Sequence, residues 1–205
     1  FQFCFRLCSK NYIIHFYNNL GSRKLHFLFK ILPVNNIIFH ERGASWNLPS
    51  NKSYLIQSNI ENSSKVIVNS VASKILLKEK FNIKERKIQV IYNGIFNQKV
   101  GESDIEIINK INIGFLGRLD THKGVHTFID LSNRINNHNF LIAGSGALEV
   151  VLKEYGRNNT NLRFLGRVNP TDFLSKIDIL IVPSIREPLG NVIIEAGFLK
   201  CPVIA

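Results

Sequence analysis

The chain has 205 residues, of which 45% are hydrophobic and 20% are charged, the balance of an ordinary globular protein. That length suffices for one large or two small α/β domains. No apolar run is long enough to span a membrane, and no secretory signal is visible. The net charge of +11, from 26 Lys and Arg against 15 Asp and Glu, favours anionic partners.

The distribution of the basic residues bears on which anionic partner to expect. They are scattered, with no long basic run and no interleaving with aromatic residues, so we do not expect nucleic acid as a partner. Contact with an acidic membrane surface is the alternative, beside plain solvation of the surface. The three cysteines suggest a reducing compartment, which predicts a cytoplasmic protein. The basic charge leaves open a peripheral position at the inner face of a membrane. Because the sequence has no Met and stops within an apolar segment, we expect an internal fragment.

The first half of the chain alternates apolar strands with helices. Strands are predicted at 12–17, 37–39, 65–69 and 87–92. Helices are predicted at 22–32, near 51–62, and from an N-cap at Ser70 to about Lys80. Such alternation is typical of a parallel sheet.

The second half repeats this alternation after a polar, Gly-containing segment that predicts an interdomain linker at 99–110. Four strands are predicted at 111–117, 140–143, 162–165 and 178–182, and a fifth begins at Pro202. Asn169, Pro170 and Asp172 fit the N-cap, N1 and N3 positions of a helix. The helix before 162 is predicted to bury one apolar stripe, formed by Leu148, Val151, Leu152 and Tyr155.

Charged residues follow the strands of this second half, at the sheet edge where parallel α/β sheets bind ligands. Arg118 and Lys123 follow the strand at 111–117, and Glu187 follows the strand at 178–182. The helix that then starts at Gly190 and Asn191 offers its first backbone N–H groups to an anion. Peptide N–H groups, cations and carboxylates that accept hydroxyl hydrogen bonds together suit a sugar phosphate.

Two motifs resemble those of a known family. Glu187 to Glu195, EPLGNVIIE, has the spacing E-x7-E, and Gly117 to Gly124, GRLDTHKG, has the pattern G-R-x4-K-G. Both are similar to motifs of the retaining glycosyltransferases of family 4 (glycosyl transferases group 1), which have the GT-B fold of two facing Rossmann-like domains. The resemblance implies an α/β protein with two parallel-sheet domains, both incomplete here. Residues 1–98 would be the C-terminal part of the acceptor-side domain, and residues 111–205 the nucleotide-sugar-binding domain.

The resemblance also implies an activity: transfer of a sugar from a nucleoside-diphosphate sugar to a glycan or lipid-linked acceptor, with retention of anomeric configuration. No convincing cluster of metal ligands is visible in the sequence, so neither a metal nor another cofactor is expected. Arg118 and Lys123 would hold the donor diphosphate, and Glu187 would accept hydrogen bonds from the transferred sugar. The backbone N–H groups of Gly190 and Asn191 would donate hydrogen bonds to the phosphate.

Four further residues take roles from the resemblance. Glu195 would bind the ribose hydroxyls, and Arg167 and Val168 would lie along the base. His40, at the end of a strand in the first half, would contact the sugar. A purely structural role is an equally good interpretation of His40. A plain strand-to-helix turn is an equally good interpretation of residues 167–168. Two other functions also stay open: a nucleotide-sugar epimerase of similar architecture and a non-catalytic remnant.

Overall fold

The structure is a computed structural model that describes residues 13–18, 20–31, 36–42, 50–95, 110–187 and 189–205. The chain divides into two compact units, Phe1–Asn93 and Gly94–Ala205. The predicted linker at 99–110 lies outside the described residues except for Lys110, so its position stays a prediction.

The described residues of the first unit form a four-stranded sheet of parallel strands with helices between them. Its strands, in the order β1-β2-β3-β4, are β1 (Ile14–Tyr17), β2 (Ile37–Glu41), β3 (Lys65–Val68) and β4 (Ile88–Val90). The connecting helices are α1 (Arg23–Ile31), α2 (Ser53–Glu61) and α3 (Val71–Phe81). The predicted parallel alternation is therefore confirmed, with β4 shorter than expected.

One face of this sheet forms the core of the first unit. Alternate strand residues such as Phe39, Val66 and Val68 are fully buried, because successive side chains of a strand point to opposite faces. Leu77 and Phe81 of α3 pack into the same cluster. The predicted cap at Ser70 is confirmed, since its hydroxyl oxygen accepts the backbone N–H of Ser73 at 3.1 Å.

The second unit is a five-stranded parallel sheet in the order β7-β6-β5-β8-β9. Its strands are β5 (Asn112–Leu116), β6 (Asn139–Ala143), β7 (Leu162–Gly166), β8 (Ile179–Ile181) and β9 (Val203–Ile204). Its helices are α4 (Val125–Arg134), α5 (Glu149–Tyr155), α6 (Pro170–Leu174) and α7 (Asn191–Phe198). The chain builds β5 to β7 in one direction and then crosses to the other side of β5. The strand order therefore reverses between β5 and β8, which is where such sheets bind ligands.

Each face of the second sheet has its own core. Phe128 and Ile129 of α4 and Leu152 of α5 pack on one face. Phe173 of α6 and Ala196 of α7 pack on the other. This division follows from right-handed crossovers, which place a helix on opposite faces when the direction of strand addition reverses. The predicted cap at the start of α6 is confirmed, because the Asn169 side chain accepts the N–H groups of Thr171 and Asp172.

The predicted apolar stripe of α5 is wrong in part. Leu152 is buried and Leu148 packs on the core, but Val151 and Tyr155 are 58% and 52% exposed. Tyr155 lies at the surface because its hydroxyl donates to the Asp130 carboxylate on α4. In the part of the chain that the structure describes, no helix is long and apolar enough to cross a membrane.

Candidate functional site

The loops that follow β5 and β8 meet at the point where the strand order reverses. After β5, a 3-10 turn at Thr121–Lys123 leads into Gly124, which has φ +66° and precedes α4. The backbone N–H of Ile185, in the loop after β8, donates to the carbonyl oxygen of His122 at 3.0 Å. A side chain at Gly124 would place its Cβ 2.0 Å from the carbonyl oxygen of Pro183, so only glycine permits this close approach.

This contact brings together two of the predicted site residues. The ammonium group of Lys123 donates to Oε2 of Glu187 and forms an ion pair with it. The two side chains are 23% and 20% exposed, so the pair is accessible from solvent but partly desolvated. Lower local dielectric strengthens such a pair, which makes it a defined cation and carboxylate at the carboxyl edge of the sheet.

Arg118 does not join this ion pair in the structure. Its Nη2 lies 3.2 Å from Oδ2 of Asp120, and its side chain is 80% exposed. Asp120 was not among the predicted site residues, although it contacts the segments of both predicted cations. Its Oδ1 accepts the backbone N–H of His122 at 3.1 Å, and its carbonyl oxygen accepts that of Lys123 at 3.2 Å. An Asp immediately before the turn was the available signal, since Asp favours such caps.

The start of α7 lies beside Glu187, as the sequence predicted. Gly190 is the buried N-cap, and a Cβ added there would lie 3.3 Å from Cγ of Glu187. Asn191 is the exposed first residue of the eight-residue helix. The N–H groups of Ile193 and Ile194 donate to the carbonyl oxygen of Gly190, so these two amides are not available to an anion.

Glu195 lies further along α7 in a partly buried position. Burial raises the pKa of its carboxyl above its ordinary value, since desolvation disfavours the charged form. A partly buried carboxyl with a perturbed pKa beside a ligand-binding edge is typical of a functional group. Its role toward a ribose stays a prediction.

Arg167 and Val168 follow β7 and lie in different surroundings. The Nε of Arg167 donates to the hydroxyl of Ser145 at 2.8 Å, which connects the loops after β7 and β6. Val168 packs against the core cluster that contains α6 and α7, so its side chain has a structural role. Backbone contact between this segment and a base stays a prediction.

His40 belongs to the first unit and lies near the end of β2. Its ring stacks on Tyr17 with 4.4 Å between centroids, and its Nε2 lies 2.7 Å from Nδ1 of His15. One of these nitrogens must donate and the other accept, so one N–H···N hydrogen bond joins the two rings. Burial lowers the pKa of His40 below its ordinary value, and the charges of His15 and Arg42 lower it further. The neutral imidazole is therefore favoured.

Among the residues that the structure describes, no group of three or more His, Cys, Asp or Glu side chains could hold a metal ion. The charged side chains that meet at the reversal point are those of Lys123 and Glu187. Arg118 precedes Lys123 by five residues and pairs with Asp120, which lies between these two cations in the sequence.

Comparison with known proteins agrees with this architecture. Residues 110–205 match the family model described as glycosyl transferases group 1. This segment is similar to the glycosyl transferases group 1 domain, and we call it the group 1 domain. The match coincides with the unit that carries Lys123, Glu187 and α7. The match supports the glycosyl transferases group 1 part of the expectation from the two motifs, whereas family 4 and retention stay predictions.

Relatives extend the likeness beyond the group 1 domain. The chain is 33% identical over 150 residues to an uncharacterized glycosyltransferase of Methanocaldococcus jannaschii, covering 60% of this chain and 37% of that protein. It is 28% identical over 163 residues to the capsular polysaccharide biosynthesis glycosyltransferase CapM of Staphylococcus aureus, covering 75% of this chain and 40% of that protein. The chain thus spans well under half the length of these relatives.

The solved structure of HepE from Anabaena, in complex with UDP and glucose, superposes with a TM-score of 0.76 at 22% identity. The superposition covers 93% of this chain and 58% of HepE. At that identity the likeness shows the fold, which is the GT-B type expected from the sequence.

Proposed function

We propose that this chain is part of a retaining glycosyltransferase that moves a sugar from a nucleoside-diphosphate sugar to a glycan or lipid-linked acceptor. The observation that supports this most directly is the Lys123–Glu187 ion pair, at the edge where the strand order reverses. It lies in the group 1 domain and beside the start of α7.

The proposed chemistry requires stabilisation of a departing diphosphate. Negative charge grows on its oxygens as the bond to the sugar breaks, and a fixed cation stabilises that charge most when it is already in place. Lys123 supplies such a cation, because the 3-10 turn and the contact with Pro183 fix its backbone. Arg118, exposed at the mouth of the same loop, supplies a second one.

Glu187 has two tasks in this proposal. In the free protein it neutralises Lys123. When the donor binds, its second oxygen accepts hydrogen bonds from sugar hydroxyls, which places the anomeric carbon near the phosphate held by Lys123. We propose a same-face displacement in which the leaving phosphate takes the proton of the acceptor hydroxyl, and this route gives retention.

The nature of donor and acceptor is suggested by the relatives. The HepE structure contains UDP and glucose, and CapM is named for capsular polysaccharide biosynthesis. We therefore propose a nucleoside-diphosphate hexose as donor and a growing surface polysaccharide or its lipid-linked precursor as acceptor. Because the cations come from the protein, we expect activity to persist in EDTA. Abolition by EDTA and recovery with Mg²⁺ would contradict that expectation.

The test uses the full-length protein that contains this chain. Release of nucleoside diphosphate is followed with UDP-glucose, GDP-mannose and ADP-glucose, and the anomeric configuration of the product is read by NMR. We expect Lys123→Met and Glu187→Gln to lower kcat by about 10²–10³-fold with the accepted donor. Lys153→Met is the matched control, because it breaks the exposed Lys153–Glu149 pair of α5 in the same unit.

Four outcomes would contradict the proposal. Equal losses in the control and in the two site variants would show that the ion pair has no special role. An inverted product would exclude retention. A sugar-nucleotide isomer formed without acceptor would identify an epimerase instead, and a folded protein that neither binds nor turns over any donor would be a non-catalytic remnant.

A further inference from the structure

Almost all of the net positive charge of this protein lies in one of its two units. Residues 1–93 contain 14 Lys and Arg against 4 Asp and Glu, a net charge of +10, whereas residues 94–205 contain 12 against 11, a net charge of +1. The second unit, which contains the domain where we propose that the donor binds, is therefore almost neutral. The excess charge therefore lies outside the unit in which we propose that the donor diphosphate is held.

Within the first unit, α1 presents a basic and aromatic face to solvent. Arg23, Lys24, Phe27 and Lys30 are all exposed, and at 100° per residue they fall within one arc of about 120°. Leu25 and Phe29 lie on the opposite side and pack on the core. The exposed face is thus fixed by the packing of the other one.

The start of α2 extends this face. The Tyr54 ring contacts the His26 ring of α1 edge-on at 5.4 Å between centroids. The Lys52 side chain passes Gly21, just before α1, with its Cδ 3.2 Å from a Cβ built there. Phe27 and Tyr54 are 66% and 65% exposed, and no Asp or Glu occurs in residues 13–31 or 50–60.

We propose that this surface binds the head-group region of a bilayer that contains anionic phospholipid. We call it the α1 surface; its members are Arg23, Lys24, Phe27, Lys30, Lys52 and Tyr54. A cluster of four or more Lys and Arg is attracted to an anionic leaflet, and exposed aromatic rings settle at the level of the lipid head groups. The Lys and Arg stems lie along the acyl boundary while their charges reach lipid phosphates.

A polyanionic glycan would also be attracted by the charge, but it offers no apolar phase for two aromatic side chains. Phe27 and Tyr54 therefore favour a bilayer. The surface belongs to the first unit, so the proposal does not depend on how the group 1 domain acts on a donor.

The test is cosedimentation of the full-length protein with vesicles of phosphatidylcholine alone or mixed in equal parts with phosphatidylglycerol. We expect binding only to the mixed vesicles, and weaker binding as salt is raised. The triple variant Arg23→Gln, Lys24→Gln, Lys30→Gln should weaken binding roughly a hundredfold, at about fivefold per charge. Phe27→Ser should weaken the binding about tenfold, because it removes the aromatic ring that the bilayer would bury.

Matched controls separate the α1 surface from net charge and from exposed apolar area in general. The triple variant Lys78→Gln, Lys84→Gln, Arg86→Gln removes the same charge elsewhere in the unit, and Ile75→Ser removes an exposed apolar side chain of α3. Both should retain most of the binding. Since all these side chains are exposed, each variant should keep the wild-type melting temperature within a few degrees.

The proposal is overturned if the two triple variants lose binding equally, if phosphatidylcholine vesicles bind as well as mixed ones, or if no vesicles bind. It is also overturned if dextran sulfate binds as tightly as the mixed vesicles and Phe27→Ser leaves both affinities unchanged. That last result would identify a polyanionic glycan as the partner of the α1 surface.

Discussion

The ion pair between Lys123 and Glu187 joins two loops that lie 64 residues apart in the chain. Both side chains are about four-fifths buried, unlike the exposed pair of Lys153 and Glu149. A double-mutant cycle on unfolding free energy should give a coupling of about 1–2 kcal/mol for the first pair. The i, i+4 pair should give about 0.5 kcal/mol or less. Equal couplings in urea unfolding would show that the site pair is no better ordered than a surface pair.

Asp120 should position Arg118 while also capping the turn that carries Lys123. Asp120→Asn keeps a cap oxygen for His122 and loses only the charge beside Arg118, whereas Asp120→Ala loses both. We expect the Ala variant to lower the unfolding free energy by about 1 kcal/mol and the Asn variant to leave it nearly unchanged.

For the same Asn variant, the donor KM should rise about two- to fivefold with kcat unchanged, as expected for a lost exposed ion pair. In an Arg118→Gln background, Asp120→Asn should have no further effect on KM. An additive rise would show that Asp120 acts independently of Arg118.

Gly124 keeps the Lys123 turn against the loop after β8. Gly124→Ala introduces a Cβ 2.0 Å from the Pro183 carbonyl oxygen at a residue with φ +66°, so the two loops must separate. We expect the unfolding free energy to fall by about 2–4 kcal/mol. Gly197→Ala is the control, because nothing lies within 4 Å of its Cβ in α7. The unfolding free energy of the Gly197→Ala variant should rise by about 0.5–1 kcal/mol. Comparable losses of unfolding free energy in both variants would contradict the close approach of Gly124 to Pro183.

Glu195 should make stability depend on pH. Because its pKa is raised in the folded protein, the folded state holds a proton that the unfolded state has lost just above the ordinary Glu value. Stability from this group is therefore present at low pH and is lost as pH rises through the folded pKa. Glu195→Gln should be more stable than wild type at neutral pH, with the difference shrinking toward about pH 4. A difference that grows on acidification would mean that the carboxylate form is the stabilised one.

The sequence determined the local elements of this protein. Ser70 and Asn169 mark helix starts because their side chains satisfy backbone N–H groups within three residues, an effect that needs no distant partner. Alternation of apolar runs with helical periods likewise gave two parallel sheets. The predicted apolar stripe of α5 was wrong at Tyr155, whose hydroxyl donates a hydrogen bond to Asp130 on α4.

Only the tertiary structure decided which charges meet. Lys123 contacts Glu187 because β8 adds beside β5 and not beside β7, a choice made by crossover handedness and core packing over 64 residues. Arg118, five residues before Lys123, instead pairs with Asp120. Sequence spacing encodes contacts within a turn, whereas contacts between strand ends depend on the free energy of burying both faces of a sheet. The motifs therefore identified the charged residues, whereas which of them form ion pairs depends on the tertiary structure.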